Sequence, residues 1–529
     1  MDLETPLPVL IAALAEKKGE RPFVQEINGQ DHTYAQFHQS ALDWANAFAA
    51  SGVGSGDLVA TMLPNGMTSY RCWIGLSWLR AMEVPINPHF RGQTLAYPLN
   101  QSRATVLVIA ERFVERLGLL ASGLPHLKTV VIPDADGELP NLPWRVVRGA
   151  DFLGAGVRAS YKLPRYHDVH AVIYTSGTTG PSKGVLQPWV NLHGMAAGMF
   201  PDDDPTDYDD GGVFTCWPTF HSSGKFGMCV APLFGLRMVF RETFSLSSFW
   251  NDVRRYRCTH APLLVVSGLL MQQPESPDDR DNPLVRVGMY PLIPEFKKFE
   301  TRFGVRVSAG YGNTEVGWAV TTASPGNHKV NGRPAPGYQI RIANEHGEEL
   351  PAQTVGEILV RHELPWRLNK GYLGMEEATA EAWRDGWFHT GDAGKFDTEG
   401  NLYFVDRVKD SLRRRGHNIS SFEVEAEVLA HPNVAECACV GVPSEIAHEG
   451  DTVKDDDVKV FVVLTPGATL RGKDLIEFLI PRAPQFMIPR YVEILPELPK
   501  TPTGKVRKAD LRARPAGDTC FDRGPDNGR

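Results

Sequence analysis

The segment that most restricts what this chain can become runs from residue 171 to residue 184. Ala171-Val-Ile-Tyr174 is a short apolar strand, and it leads straight into Thr175-Ser-Gly-Thr-Thr-Gly-Pro-Ser-Lys-Gly184, after which a helical pattern follows. Hydroxyl residues, glycines and a single lysine leave almost nothing to pack in a core. They do supply what a polyphosphate needs: backbone N–H groups free to converge, hydroxyl donors and one cation. The spacing differs from the G-x-x-x-x-G-K-[ST] loop of common nucleotide hydrolases, because only two residues separate Gly180 from Lys183.

The remainder of the chain narrows the class. At 529 residues it has room for about three or four domains of ~150 residues. Its net charge of −8 argues against a nucleic-acid binder, which would show a basic face. No apolar run approaches the roughly 18 residues of a membrane span. The opening MDLETPLPVL carries two acids and no basic stretch, so it does not read as a secretory signal, and a soluble, cytoplasmic protein is expected. Cys72, Cys216, Cys229, Cys258, Cys437, Cys439 and Cys520 include no C-x-x-C pair, which fits reduced thiols. No H-E-x-x-H motif or Cys/His cluster suggests zinc.

Helical patterns (Leu7 to Ala15, Tyr34 to Ala50, Tyr70 to Met82) alternate in the first third with β-branched runs near residues 58–63, 105–110 and 129–133. Interleaving of this kind predicts an α/β fold with largely parallel packed sheets, here a large N-terminal α/β domain over residues 1–406. From residue 407 to 514 the pattern changes to a small α+β domain. Ser420-Ser-Phe-Glu423 predicts a capping box before a helix at 424–430. A strand at 436–442, a strand at 458–464, a helix at 470–480 and a strand at 490–495 follow. Residues 448–457 predict an exposed acidic loop, and the Pro-, Gly- and Asp-rich 515–529 a disordered tail.

The loop does not stand alone. Trp217-Pro-Thr-Phe-His221-Ser-Ser-Gly224, Tyr311-Gly-Asn-Thr-Glu315, Gly332-Arg-Pro334, Gly356-Glu-Ile358, Thr390-Gly-Asp392, Asp406-Arg-Val-Lys-Asp410 and Pro499-Lys-Thr-Pro-Thr-Gly-Lys505 follow in order. With the loop, this series resembles the motif set of the adenylate-forming superfamily: acyl-CoA synthetases, aryl-CoA ligases, luciferases and peptide-synthetase adenylation domains. Pro291-Leu-Ile-Pro294, Gly371-Tyr-Leu-Gly374, Gly386-Trp-Phe-His-Thr-Gly391 and residues 413–420 most resemble its crotonobetaine/carnitine-CoA ligase-like branch, which implies a small or polar acid as substrate.

The resemblance implies a first step that joins a carboxylate to the α-phosphate of ATP and expels pyrophosphate, which demands charge neutralisation at both groups. Thr175, Ser176, Gly177, Thr178, Thr179, Gly180 and Lys183 would hold the β- and γ-phosphates. Glu315 would ligate Mg²⁺ with Thr314 beside the phosphates, and His221 would stand at the acid. Tyr311, Gly312 and the Gly288-Met-Tyr290-Pro291 turn would enclose the adenine. Asp392 would accept from the ribose hydroxyls with Arg407 in support, and Lys505 would bridge the α-phosphate and the carboxylate. In relatives that make thioesters the small domain then rotates. Lys409 falls at their hinge position, while the arginines of 413–415, Arg415 among them, and Gly416 would face CoA. Family habit adds a homodimer.

Several residues depart from the family pattern where substrate would bind. Lys225 follows the His221 motif, and a buried lysine needs an anion, either on the substrate or on a protein carboxylate. Asn313 stands inside the Tyr311–Glu315 motif with Trp318 close behind. Together with Tyr290, Trp217 and Phe220 these suggest a compact aromatic and polar pocket for an aryl acid, although core packing accounts for the aromatics nearly as well. The reading that results is an ATP-dependent acid–CoA ligase. Alternatives are a diazotase-like enzyme that activates nitrite toward an aromatic amine, for which Lys225 would hold the small anion, and transfer of the acyl group to a carrier protein.

Overall fold

The computed structural model describes residues 3–118, 120, 123–158, 160–175, 182–202, 210–264, 266–407, 412–414, 417–419, 421–444, 456–483, 485–500, 506–515, 517 and 520–524. Among them the strands form two large sheets, two four-stranded sheets and a two-stranded ribbon.

The first large sheet has a parallel centre of Thr129–Ile132, Val106–Ile109, Leu58–Met62 and Met82–Pro85. Val169–Thr175 lies parallel to Met82–Pro85, and Lys183–Pro188 closes that edge antiparallel. Successive side chains point to opposite faces: Ala60, Met62, Leu107 and Ile109 enter one core cluster, and Val59, Val106 and Val108 another. Both faces are therefore covered, which is why these strands are apolar throughout. In the second sheet Pro22–Glu26, Arg237–Phe240, Gly212–Thr215, Cys258–Leu263, Arg286–Met289 and Arg306–Asn313 run parallel, and Gly317–Thr322 turns back on the last of them. Helices Tyr34–Ala50, Met67–Trp78, Trp189–Met199 and Ser222–Leu233 supply one large cluster that also takes Phe23, Val24 and Met238 from the second sheet. Tyr34–Ala50 reaches the first sheet as well, through Trp44 and Phe48.

The small antiparallel sheet Tyr338–Ala343, Gly356–His362, Phe388–Phe396 and Leu402–Arg407 follows. Beyond it the core clusters contain only residues from 412 onward, so the C-terminal domain has its own interior. That interior lies between strands Val434–Pro443, Asp456–Leu464 and Tyr491–Ile494 and helices Ser421–Leu429 and Gly472–Leu479.

Most expected elements are present; four expectations need correction. The helix expected to reach Met82 ends at Trp78, and Met82 opens a strand, because Arg80 takes a positive φ of 56° that stops a helix. The pattern after Lys183 is first a strand, since Leu186 and Val185 pair with Val172 and Ile173; the helix begins only at Trp189. Asp457, placed in the exposed loop, is buried between Arg490 (2.7 Å) and Arg414 (3.4 Å); residues 448–455 lie outside the described residues. Finally, the tail is not wholly disordered. Cys520–Asp522 pairs with Tyr491–Ile494, because Phe521 packs against Gly472 in the C-terminal core.

Deleting residues 516–529 should therefore cost the C-terminal domain about 1 kcal/mol or more, since Phe521 is partly buried and full burial of a phenylalanine is worth about 1.5–3 kcal/mol. Urea unfolding of the full and shortened chains measures it, and equal midpoints would show that the strand adds nothing.

Candidate active site

The loop that opened the sequence argument is tied off at its base. Thr175 ends one strand and Lys183 begins its neighbour; the two are register partners, and the Thr175 hydroxyl donates to the Lys183 carbonyl at 3.4 Å. Gly184 permits the closure, because a Cβ there would fall 2.8 Å from Val172. Ser176, Gly177, Thr178, Thr179 and Gly180 lie outside the described residues.

From this base the Lys183 ammonium stands 4.7 Å above the ring of Tyr372, within cation–π range. The Tyr372 hydroxyl donates to Glu315 Oε1 at 3.4 Å, and burial together with that carboxylate raises the phenol above its ordinary value. Tyr372 thus joins the lysine to the carboxylate, a role the sequence reading did not give it. Glu315 sits on a turn that Asn313 builds: Asn313 Oδ1 accepts from the N–H groups of Glu315 (3.1 Å) and Val316 (2.9 Å). The oxygen expected to face substrate is therefore committed to the turn. Thr314 lies half-buried between them.

The Glu315 carbonyl is fixed more firmly still. It accepts from the Asn369 backbone N–H (2.7 Å), from Asn369 Nδ2 (3.1 Å) and from Asn191 Nδ2 (3.4 Å). Asn191 in turn accepts from Gln187 Nε2 at 2.9 Å, and Gln187 Oε1 accepts from the Ser222 hydroxyl at 3.1 Å. Ser222 is the residue after His221, which caps the same helix. A buried hydrogen-bonded chain thus links the His221 turn to the Glu315 turn. Its one sequence signal is polar Gln187 and Asn191 set in the apolar run 185–199.

In the same core cluster as Tyr372, the Tyr311 hydroxyl donates to Asp392 Oδ2 at 2.7 Å. Burial and the neighbouring carboxylate hold the Tyr311 phenol well above its usual value, so it stays a donor. Asp392 is the register partner of Arg407. The expected ribose pair thus shares one end of the antiparallel sheet, and Tyr311 orients the carboxylate.

The aromatic residues divide between roles. Trp217 is core, donating to the Pro262 carbonyl at 2.8 Å. Trp318 lies opposite Gly312 in the register, packs edge-on against Tyr290 at 4.4 Å and donates to its hydroxyl at 3.0 Å. His221 lies beside Phe220, ring centroids 4.7 Å apart.

Lys225 is not open to a substrate. It is 1% exposed, its ammonium is 2.5 Å from Glu83 Oε2, equally buried, and 4.0 Å above the Trp73 ring. Glu83 also accepts from Thr61 at 2.7 Å. Burial lowers the Lys225 ammonium from its ordinary value, and Glu83 pulls it back. Of the two anions the sequence allowed, the structure supplies the protein carboxylate. Arg414, one of the arginines expected to meet CoA, is likewise committed, to Asp457 and the Ile488 carbonyl. Lys409, Arg415, Gly416 and Lys505 lie outside the described residues.

The comparisons agree with this geometry. The chain matches the family model of AMP-binding enzymes over residues 11–373 and that of their C-terminal domain over residues 423–505. It is 31% identical over 491 residues to a crotonobetaine/carnitine–CoA ligase of Citrobacter koseri, covering 91% of this chain and 93% of that one. A ligase of the same name from Escherichia coli is 32% identical over 498 residues, with the same coverage. Among solved structures, an anthranilate–CoA ligase in complex with anthranoyl-AMP superposes with a TM-score of 0.82 at 21% identity, covering 97% of this chain and 98% of that one. ATP-bound MatB from Rhodopseudomonas palustris gives 0.79 at 24%, covering 96% and 99%. This chain belongs to the AMP-binding, adenylate-forming enzyme family, within the reach of its acid–CoA ligases. Among the described residues no helix is long and apolar enough to cross a membrane.

Three variants test the arrangement. Glu83→Gln leaves Lys225 buried without its counter-charge and should cost about 3–5 kcal/mol, whereas the double variant E83L/K225M should recover most of it. Urea titration reads both, and a single variant within 1 kcal/mol of wild type would remove the pair from the structural account. Asn191→Ala should cost about 1–3 kcal/mol and slow acid-dependent AMP formation about 10-fold or more at a temperature where the protein is folded. Unchanged turnover would show that Asn191 is not needed to hold the Glu315 turn.

Proposed function

We propose that this chain is an ATP-dependent ligase that activates a small or aryl carboxylic acid as an acyl-adenylate, with loss of pyrophosphate, and passes the acyl group to CoA. The observation that carries the reading is the gathering of Lys183, Tyr372 and Glu315 close to the Tyr311–Asp392 pair, with Tyr311 and Tyr372 in one core cluster. The first group suits a polyphosphate and the second a sugar diol. The names of the relatives support CoA as acceptor.

In this reading the 175–183 loop and Lys183 neutralise the β- and γ-phosphates, and Asp392, oriented by Tyr311 and supported by Arg407, accepts from the ribose hydroxyls. Tyr290, Gly312 and the Tyr311 backbone border the adenine. Glu315 would hold Mg²⁺, which supplies further neutralisation of the phosphates. Among the described residues no group of three or more His, Cys, Asp or Glu side chains gathers for a metal. A cation held by one carboxylate, water and substrate phosphates needs no such group, so the residues present fit it. Lys505 offsets the charge that develops between the attacking carboxylate and the α-phosphate, while His221 and Trp318 border the acid. The domain division at 406/407, a hinge at Lys409 and a CoA face at Arg415 and Gly416 complete the scheme. The nitrite-activating alternative has lost its anion site, since Lys225 is spent on Glu83.

The test is AMP formation from ATP and Mg²⁺ across a panel of small and aryl acids, with CoA added separately and products read by mass. An acid-specific rise with a thioester mass is expected, and Lys505→Ala should lower it about 10²–10³-fold. Undiminished product from that variant would sink the assignment. A rise that needs nitrite and an aromatic amine would replace the acid.

A further inference from the structure

Behind the Glu315 turn lies a cavity of about 710 Å³ that the proposed chemistry does not use. Its volume falls in the range of small-ligand sites. Two indoles line it, Trp366 and Trp383, and so does the Lys370 ammonium, 4.4 Å above the Trp366 ring.

Three features mark it as a site rather than a packing gap. Trp366 is 48% exposed and has a φ of +67°, a conformation costly for any residue but glycine. Held there beside the Lys370 ammonium, the indole presents an exposed aromatic surface that a ligand ring can reach. Next, Lys370 brings a cation to the wall, and among the described residues no carboxylate lies within ion-pair distance of it. Arg361 and Arg367 line the cavity too, but their guanidiniums are spent elsewhere, on Gln339 and the Trp387 ring and on the Val190 carbonyl. Burial lowers Lys370 below its ordinary value, and Asp168, the carboxylate that acts on it from further off, is clamped by Arg80 and Arg165. A half-buried ammonium on an indole face, without a counter-ion, invites an anion. Last, Asn369 and Tyr372 line the same cavity while they hold the Glu315 carbonyl and carboxylate.

We propose that this cavity binds a planar aromatic anion, its ring against Trp366 and Trp383 and its carboxylate or phosphate on Lys370, and that occupancy acts on Glu315 through Asn369 and Tyr372. The effect on Glu315 rests on the function proposed above; the binding does not. Two sources share this chemistry, an aryl carboxylate and a nucleoside monophosphate.

Hydrogen exchange of the full chain, with 2-naphthoate in one arm and AMP in the other, reads the site without turnover. In wild type one of the two probes should slow exchange over residues 364–372 and 313–317, and the arm that responds names the source. Lys370→Met should weaken that response at least tenfold, whereas Asp392→Ala, which removes the carboxylate assigned to the ribose, should leave it in place. Trp366→Gly, which suits the positive φ, should keep or raise Tm and lose the response. Absence of protection with both probes, its survival in Lys370→Met, or its loss in Asp392→Ala would overturn the proposal. So would a fall of several degrees in Tm for Trp366→Gly with binding retained. A wild-type protein that shows the response yet forms no AMP from any acid would overturn the proposed function and leave the site standing.

Discussion

One carbonyl oxygen, that of Glu315, holds the candidate site in register. It takes two donors from Asn369 and a third from Asn191, so residues from an edge loop and from the helix beside the phosphate hairpin meet on a single acceptor. A buried carbonyl with this many donors has no cheap alternative, because moving the turn would leave several N–H groups unpaired away from water. The turn residue Asn313 adds two more hydrogen bonds from the opposite direction. The carboxylate of Glu315, which accepts from the Tyr372 hydroxyl, is then aimed from a backbone that has little freedom. Pre-positioned charge of this kind is what a reaction that builds negative charge on phosphate requires.

That arrangement depends in turn on how the two large sheets are joined. The hairpin that ends at Thr175 and Lys183 belongs to the first sheet, whereas Tyr311, Glu315 and Trp318 belong to the end of the second. Helices Trp189–Met199 and Ser222–Leu233 lie in the layer between, and the buried Lys225–Glu83 pair fastens the second of these helices to a central strand of the first sheet. Charge buried this deeply contributes little net stability once desolvation is counted, but it penalises any slip of one layer over the other. Lys225, which the sequence offered as a contact for substrate, serves the joint that the site requires.

What was legible in the sequence follows from range. Helix Tyr34–Ala50 matches its expected span because periodicity and the Thr33/Gln36 capping box are local signals. The strand that leads into the 175–183 loop was legible because its apolar run is a local signal, whereas the strand after the loop reads as helix until pairing with residues 172 and 173 decides Val185 and Leu186. Partner identity was illegible wherever the partner is distant. Glu83 lies 142 residues from Lys225, and Tyr372 lies 57 from Glu315. The tail misled in the same way: its composition is that of a disordered segment, but Phe521 finds a place against Gly472 that no window of sequence reveals.

The C-terminal domain shows the same economy of charge, which bears on the proposed transfer to CoA. Arg414 and Arg490 both bind buried Asp457, and Lys459 pairs with buried Glu493 at 2.8 Å. These cations are consumed in holding the ribbon Leu412–Arg414 and the sheet together. A basic run in the sequence therefore overstates the charge available to CoA phosphates: within 413–415, one of the three arginines points its charge inward. The Arg414–Asp457–Arg490 network ties that ribbon to the domain core, so in the rotation proposed above the domain would move as one body.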